Sequence, residues 1–140
     1  MSWSLDGGVA ALGALRGELR SYLALQGASK AAAANVVLAT QEAAKNALRA
    51  SPGRVTVMVW TADGVVWVRV RDRGHGFATP PSRRCPGPWS THGRGLCLMD
   101  ALMDEVHVEH RHGTQVLMCL RLGPAPASRG RKPPVEAQPA

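Results

Sequence analysis

From Val9 onward the apolar positions fall three and four apart: Val9, Leu12, Leu15, Leu19 and Leu23. That spacing predicts an amphipathic helix over residues 7–26, and Gly27 suits its end. Ser29 is placed to cap a second helix running through about Ala50, rich in alanine and stopped by Pro52-Gly53. The period then changes to two. Residues 54–61 are Val-rich, with Met58 and Trp60 on the alternate face. In residues 65–71, Val66, Val68 and Val70 point one way and Trp67, Arg69 and Arg71 the other. Ala62-Asp63-Gly64 between these runs predicts a hairpin turn.

An irregular stretch from Asp72 to Gly93 contains Pro80, Pro81, Pro86 and Pro88. Loops of this length inside a compact domain are uncommon and often functional. A third helix is expected from about Arg94 to Met103. Residues 105–109 and 114–122 then read as two strands joined at His112-Gly113. Helices in consecutive pairs and strands joined by hairpins predict an α/β (α+β) two-layer sandwich. Residues 1–122 form the expected folded domain. Residues 123–140, mostly Pro, Ala, Arg, Gly and Ser without apolar periodicity, read as a disordered tail.

The chain has 140 residues, 45% of them hydrophobic, which suits one domain with a substantial core. Its net charge is +7; Arg129, Arg131 and Lys132 against Glu136 put +2 in the tail and leave +5 for the body. The excess is arginine, which fits a solvated surface as well as an acidic or polyphosphate partner. Phe77 and Tyr22 are the only Phe and Tyr, so the stacking set of single-strand binders is missing and nucleic acid is not an expected partner. Three cysteines without a CxxC spacing argue against a disulfide framework. With no signal-peptide pattern and no apolar run long enough for a membrane span, a cytoplasmic location is expected and no membrane contact.

Candidate chemistry clusters in four places. Counting by twos from Val66 puts Asp72 on the apolar strand face, where a carboxylate is costly unless a donor satisfies it. The exocyclic amine of adenine is one such donor; a turn cap is the plainer alternative. Gly74 and Gly76 follow, permitting a sharp turn and close approach to a ligand. On the second helix Glu42 and Asn46 lie four apart and share a face distinct from the Val37, Ala44, Leu48 stripe. Their oxygens suit Mg²⁺ and its waters, and Glu42 could accept a proton, although an exposed polar pair would look the same. His92-Gly93-Arg94-Gly95-Leu96 opens the third helix, whose free amides and dipole favour phosphate; a hinge before a helix is the alternative. Thr114, after Gly113, shares its strand face with Val116, Met118 and Leu120, so its hydroxyl points inward; it is a candidate ligand contact, although it would serve equally as a backbone hydrogen-bond partner.

Taken together, in order and spacing, these elements resemble the GHKL-type (Bergerat-fold) ATPases, which include gyrase, Hsp90-class chaperones, histidine kinases and mismatch-repair ATPases. Within that group the chain is most similar to the small bacterial anti-sigma-factor serine/threonine-protein kinases, over about residues 8–122. The resemblance implies a mixed, mainly antiparallel sheet covered by helices on one face, with ATP and Mg²⁺ as cofactors. Residues 42–47 match the N box, with Glu42 as general base and Asn46 as the Mg²⁺ ligand. Residues 72–77 match the first glycine box, with Asp72 on adenine and Gly74, Gly76 and Phe77 around it. Gly93, Arg94, Gly95 and Leu96 match the second, on the phosphates, and Thr114 the last, near adenine. Residues 78–92 would form the ATP lid. Three features depart from the pattern. Ala50 stands where a His is frequent, and Lys45 stands where a small or apolar residue is usual and could pair with Glu42. Only Trp3 to Leu5 could supply the short strand that precedes the first helix.

The activity implied is transfer of the γ-phosphoryl of ATP to an anti-sigma-antagonist (STAS) protein, with that protein, a sigma factor, or both as partners and a homodimer as the assembly. The alternative is a nucleotide-tuned, catalytically weak module that sequesters a sigma factor or other regulator. His107, His110 and His112 do not complete a convincing zinc set. Trp67, on the polar strand face, is a candidate for an exposed patch.

Overall fold

The computed structural model describes residues 1–51, 54–74 and 95–123. A short strand β1 (Ser2–Ser4) and a 3₁₀ turn (Gly8–Ala10) precede helices α1 (Ala11–Leu25) and α2 (Lys30–Ala50). The hairpin β2 (Val55–Ala62) and β3 (Val65–Asp72) follows, then α3 (Gly95–Leu102) and the hairpin β4 (Glu105–His110) and β5 (Thr114–Arg121). The five strands form one sheet in the order β1-β2-β3-β5-β4, antiparallel in all four described pairings.

Each helix forms where its apolar spacing predicts. In α1, Leu12, Leu15, Leu19 and Leu23 are buried, each contributing roughly 1.5–3 kcal/mol of transfer free energy. The Ser29 side chain accepts the Ala32 amide at 3.1 Å, capping α2. The buried face of α2 is wider than the Val37, Ala44, Leu48 stripe and adds Val36, Ala39, Thr40, Ala43 and Ala47. The reason is that α2 packs on α1, α3 and the sheet at once, and its alanines let those neighbours come close. Thr40 is fully buried, and its hydroxyl has no partner among the described residues.

The helices cover the sheet face that carries Val57, Val59, Val66, Val68, Val70, Val116 and Met118, all buried. Val66, Val68 and Val70 thus face inward as their alternation predicts. The turn between β2 and β3 is the two-residue Asp63-Gly64 loop, both with positive φ (52° and 74°), a geometry that continues the sheet's twist. On the other face, Trp60 and Trp67 are cross-strand partners with rings stacked 6.3 Å apart at 9°. Both are half-buried.

β1 was the element least visible in the chain. Three residues carry no periodicity; the strand exists because it pairs with Thr56–Met58 and because the N-terminal amine donates to the Val59 carbonyl. The cysteines differ from expectation. Cys97 is disulfide-bonded, which neither the odd count nor the missing CxxC signalled. Cys119 is free and buried; burial, then Glu105 and Asp104 nearby, push its thiol up to about 11. Among the described residues no helix is long and apolar enough to cross a membrane.

Candidate functional site

Asp72 closes β3 with its side chain on the inner face, 3% exposed. Its Oδ1 accepts two backbone amides, from Gly74 at 2.9 Å and from Thr114 at 3.2 Å. The second oxygen, Oδ2, has no hydrogen-bond partner among the described residues. A nearly buried carboxylate with one oxygen satisfied twice keeps the other for water or for a ligand donor. It fits a site that awaits a donor.

The neighbouring backbone is equally constrained. Gly113 has φ +115°, and a Cβ there would fall onto the Asp72 carbonyl oxygen and within 3.0 Å of Arg73 Cα. The β4–β5 turn therefore lies against the end of β3 at a distance only glycine permits. That approach brings the Thr114 amide to Asp72. Thr114 is itself buried, and its Oγ1 lies 3.3 Å from His110 Nδ1. On the other side, a Cβ on Gly74 would press at 3.1 Å on the Ala50 carbonyl and at 3.3 Å on Ser51 Cβ. Gly74 is thus packed onto the C-terminal end of α2.

Glu42 and Asn46 lie on α2, both half-buried, beside the fully buried Ala43 and the buried Ala47. Lys45 Nζ donates to Glu42 Oε1 at 3.3 Å. The Lys45 side chain is 43% exposed and that of Glu42 24%, so the pair contributes at most about 0.3–0.5 kcal/mol. It does, however, occupy one oxygen of the carboxylate. Asn46 makes no side-chain hydrogen bond among the described residues. Gly95 is the first residue of α3, and Leu96 is buried in the core.

The structure thus joins Asp72, Gly74 and Thr114 directly, and sets α2, which carries Glu42 and Asn46, against both β3 and α3. Gly76, Phe77, Gly93, Arg94 and the expected lid at residues 78–92 lie outside the described residues, as does nearly all of the expected tail. Among the described residues no cluster of His, Cys, Asp or Glu could by itself hold a metal ion. Mg²⁺ commonly takes only one or two protein oxygens, with phosphates and water completing its shell, and the Asn46 carboxamide beside Glu42 can supply them. Sequence reasoning missed His110 as a neighbour of Thr114. Cross-strand register places the two side by side, and that register could have been counted from the His112-Gly113 turn.

Comparison with known proteins bears on the family and the fold. Residues 8–120 match the family described as Histidine kinase-like ATPase domain. A structure of the RsbU and RsbW domains of Rv1364c from Mycobacterium tuberculosis is similar at 27% identity and a TM-score of 0.68, over 87% of this chain and 31% of that one. The chain therefore spans about a third of the length of that protein. The histidine kinase domain of the Erythrobacter litoralis EL346 blue-light activated histidine kinase is similar at 23% identity and a TM-score of 0.53, over 79% of this chain and 61% of that one. The latter likeness is one of fold alone. No curated protein matches significantly.

Proposed function

The chain belongs to the histidine kinase-like ATPase family, and from that premise we propose that it is an ATP-dependent regulatory serine/threonine-protein kinase of the anti-sigma-factor type, acting on an anti-sigma-antagonist (STAS) protein. The observation that carries the nucleotide end is Asp72: buried, anchored through Oδ1, with Oδ2 left for the exocyclic amine of adenine. The similarity to a protein containing an RsbW domain supports the regulatory type.

In this reading the antagonist's Ser or Thr hydroxyl oxygen bonds to the γ-phosphorus as the bond from that phosphorus to the β,γ-bridging oxygen breaks. ADP leaves with the electron pair, and the hydroxyl proton passes to the Glu42 carboxylate. Asn46 is the Mg²⁺ ligand; the ion, when bound, offsets the charge of the phosphate oxygens. Gly93, Arg94, Gly95 and Leu96 hold the phosphates at the start of α3, where a helix N-terminus favours anions. Gly76 and Phe77 complete the adenine side. Positioning and electrostatics of this kind are the main means by which proteins accelerate phosphoryl transfer. The kinase domain spans residues 1–122, acts in the cytoplasm and pairs as a homodimer.

A second reading is favoured by one contact. Lys45 holds Glu42 Oε1, so the carboxylate is partly engaged before any substrate arrives. A nucleotide-tuned module that sequesters a sigma factor without transfer would suit that arrangement. Incubating the full chain with labelled ATP, Mg²⁺ and candidate antagonists separates the two. Labelled antagonist that disappears in Glu42→Ala supports the kinase. Tight ATP binding with no label on any antagonist leaves the binding module and overturns the kinase.

A further inference from the structure

The last residue of β4 is a histidine, exposed at the end of the strand. His110 continues the alternation of buried Val106 and half-buried Val108 to the strand's exposed end, and its cross-strand partner is Thr114, the buried first residue of β5. Its Nδ1 stands 3.3 Å from Thr114 Oγ1. The Thr114 backbone is already committed, because its amide donates to Asp72 Oδ1. What remains undecided is the hydroxyl, which has one proton to donate and two lone pairs to accept with. Whichever role His110 takes toward it sets the role left over for a ligand.

We propose that His110 is a positioning residue that fixes the polarity of the Thr114 hydroxyl and thereby selects adenine over guanine. The inference rests on the reading of Asp72 as the base-recognising acid. Adenine presents a donor, the exocyclic amine, beside an acceptor, the adjacent ring nitrogen. Guanine presents the reverse along the same edge: a carbonyl acceptor beside an N–H donor. Asp72 Oδ2 can only accept, so it selects the amine. A second group that completes the adenine pattern must donate. Thr114 donates toward the base when its oxygen accepts from His110, which requires the proton on Nδ1. With Nδ1 bare, the hydroxyl spends its proton on His110 and offers the base only lone pairs. That arrangement opposes the adenine ring nitrogen and suits the guanine N–H. A buried polar group facing the wrong partner discriminates strongly, because it is left unpaired.

The test is calorimetric binding of ATP and of GTP to the full-length chain and its variants. The wild-type chain is expected to prefer ATP. His110→Ala should narrow the ATP-to-GTP preference by about tenfold, the effect of one hydrogen bond of ordinary strength. His110→Asn, whose side-chain amide reaches the position of Nδ1, should restore most of the preference, whereas His110→Gln, which mimics Nε2, should behave like His110→Ala. In a Thr114→Val background, His110→Ala should change nothing further. An unchanged preference in both His110→Ala and His110→Gln, with ATP still bound, overturns the role of His110 alone. An equal loss in the Thr114→Val background overturns it too, since the effect would then bypass the hydroxyl. Failure of the wild-type chain to bind ATP overturns the adenine-site reading and this inference with it.

Discussion

At the β3–β5 end of the site, Asp72, Gly74, Gly113 and Thr114 are joined by backbone amides and by a backbone-to-backbone approach that excludes any side chain at position 113. At the α2 end, Glu42 is steadied by the half-exposed ammonium of Lys45, and Asn46 has no side-chain hydrogen bond among the described residues. The first end is built by the fold: its carboxylate is held by the same contacts that close the sheet, so recognition is ready before a ligand arrives. The second is a half-exposed helix surface, where Glu42 pairs only with the Lys45 ammonium. Preorganisation at one end and adaptability at the other would suit the proposed kinase, whose nucleotide is constant and whose protein partner is admitted and released.

That contrast can be broken most forcefully at Gly113. We predict that Gly113→Ala, which adds a Cβ onto the Asp72 carbonyl at φ +115°, destabilises the chain by roughly 2–5 kcal/mol. A denaturant midpoint equal to wild type would show that the turn can withdraw from β3 without cost. Next in size, Asp72→Asn should keep the fold, since an amide oxygen can still accept from Gly74 and Thr114. It should weaken ATP by about 10–100-fold, the range for losing a charged hydrogen bond. Unchanged affinity in calorimetry would remove Asp72 from the binding end altogether.

Smaller effects are expected on α2. Thr40 has a buried hydroxyl with no partner among the described residues, so the near-isosteric Thr40→Val should stabilise by about 1 kcal/mol. A less stable variant in urea would mean that α2 is held by a polar contact as well as by apolar packing. Lys45→Met should shift stability by less than about 0.5 kcal/mol, because the pair it breaks is substantially exposed. Its expected signature is functional: faster transfer of label to an antagonist protein as Glu42 is freed. A large loss of stability, or slower transfer, would place Lys45 among the groups that build the site and erase the difference between the two ends.

Much of this was legible along the chain. The three-to-four spacing of Leu12 through Leu23 and the alternation of Val66 through Val70 specify which faces are buried, because each period matches one backbone geometry and water enforces the match. The same alternation carries Asp72 inward. Glu42 and Asn46 share a helix face by arithmetic alone. Asp63-Gly64 dictates its turn by local sterics. These features depend on residues within a few positions of one another, and that is why a linear reading reaches them. Other features arise from residues far apart in the chain. β1 exists because β2 offers it an edge. The breadth of the buried face of α2 depends on having α1, α3 and the sheet as neighbours at once. Thr114 meets Asp72 across forty-two positions, and Gly113 is required by a backbone that approaches it from another hairpin. His110 acquires a possible role only from the register that sets it beside Thr114. The sequence by itself determined the elements, their buried faces and the residue types available for chemistry. Only the tertiary structure decided which oxygen of Asp72 is spent and which is left, because that depends on the approach of two hairpins that no local period encodes.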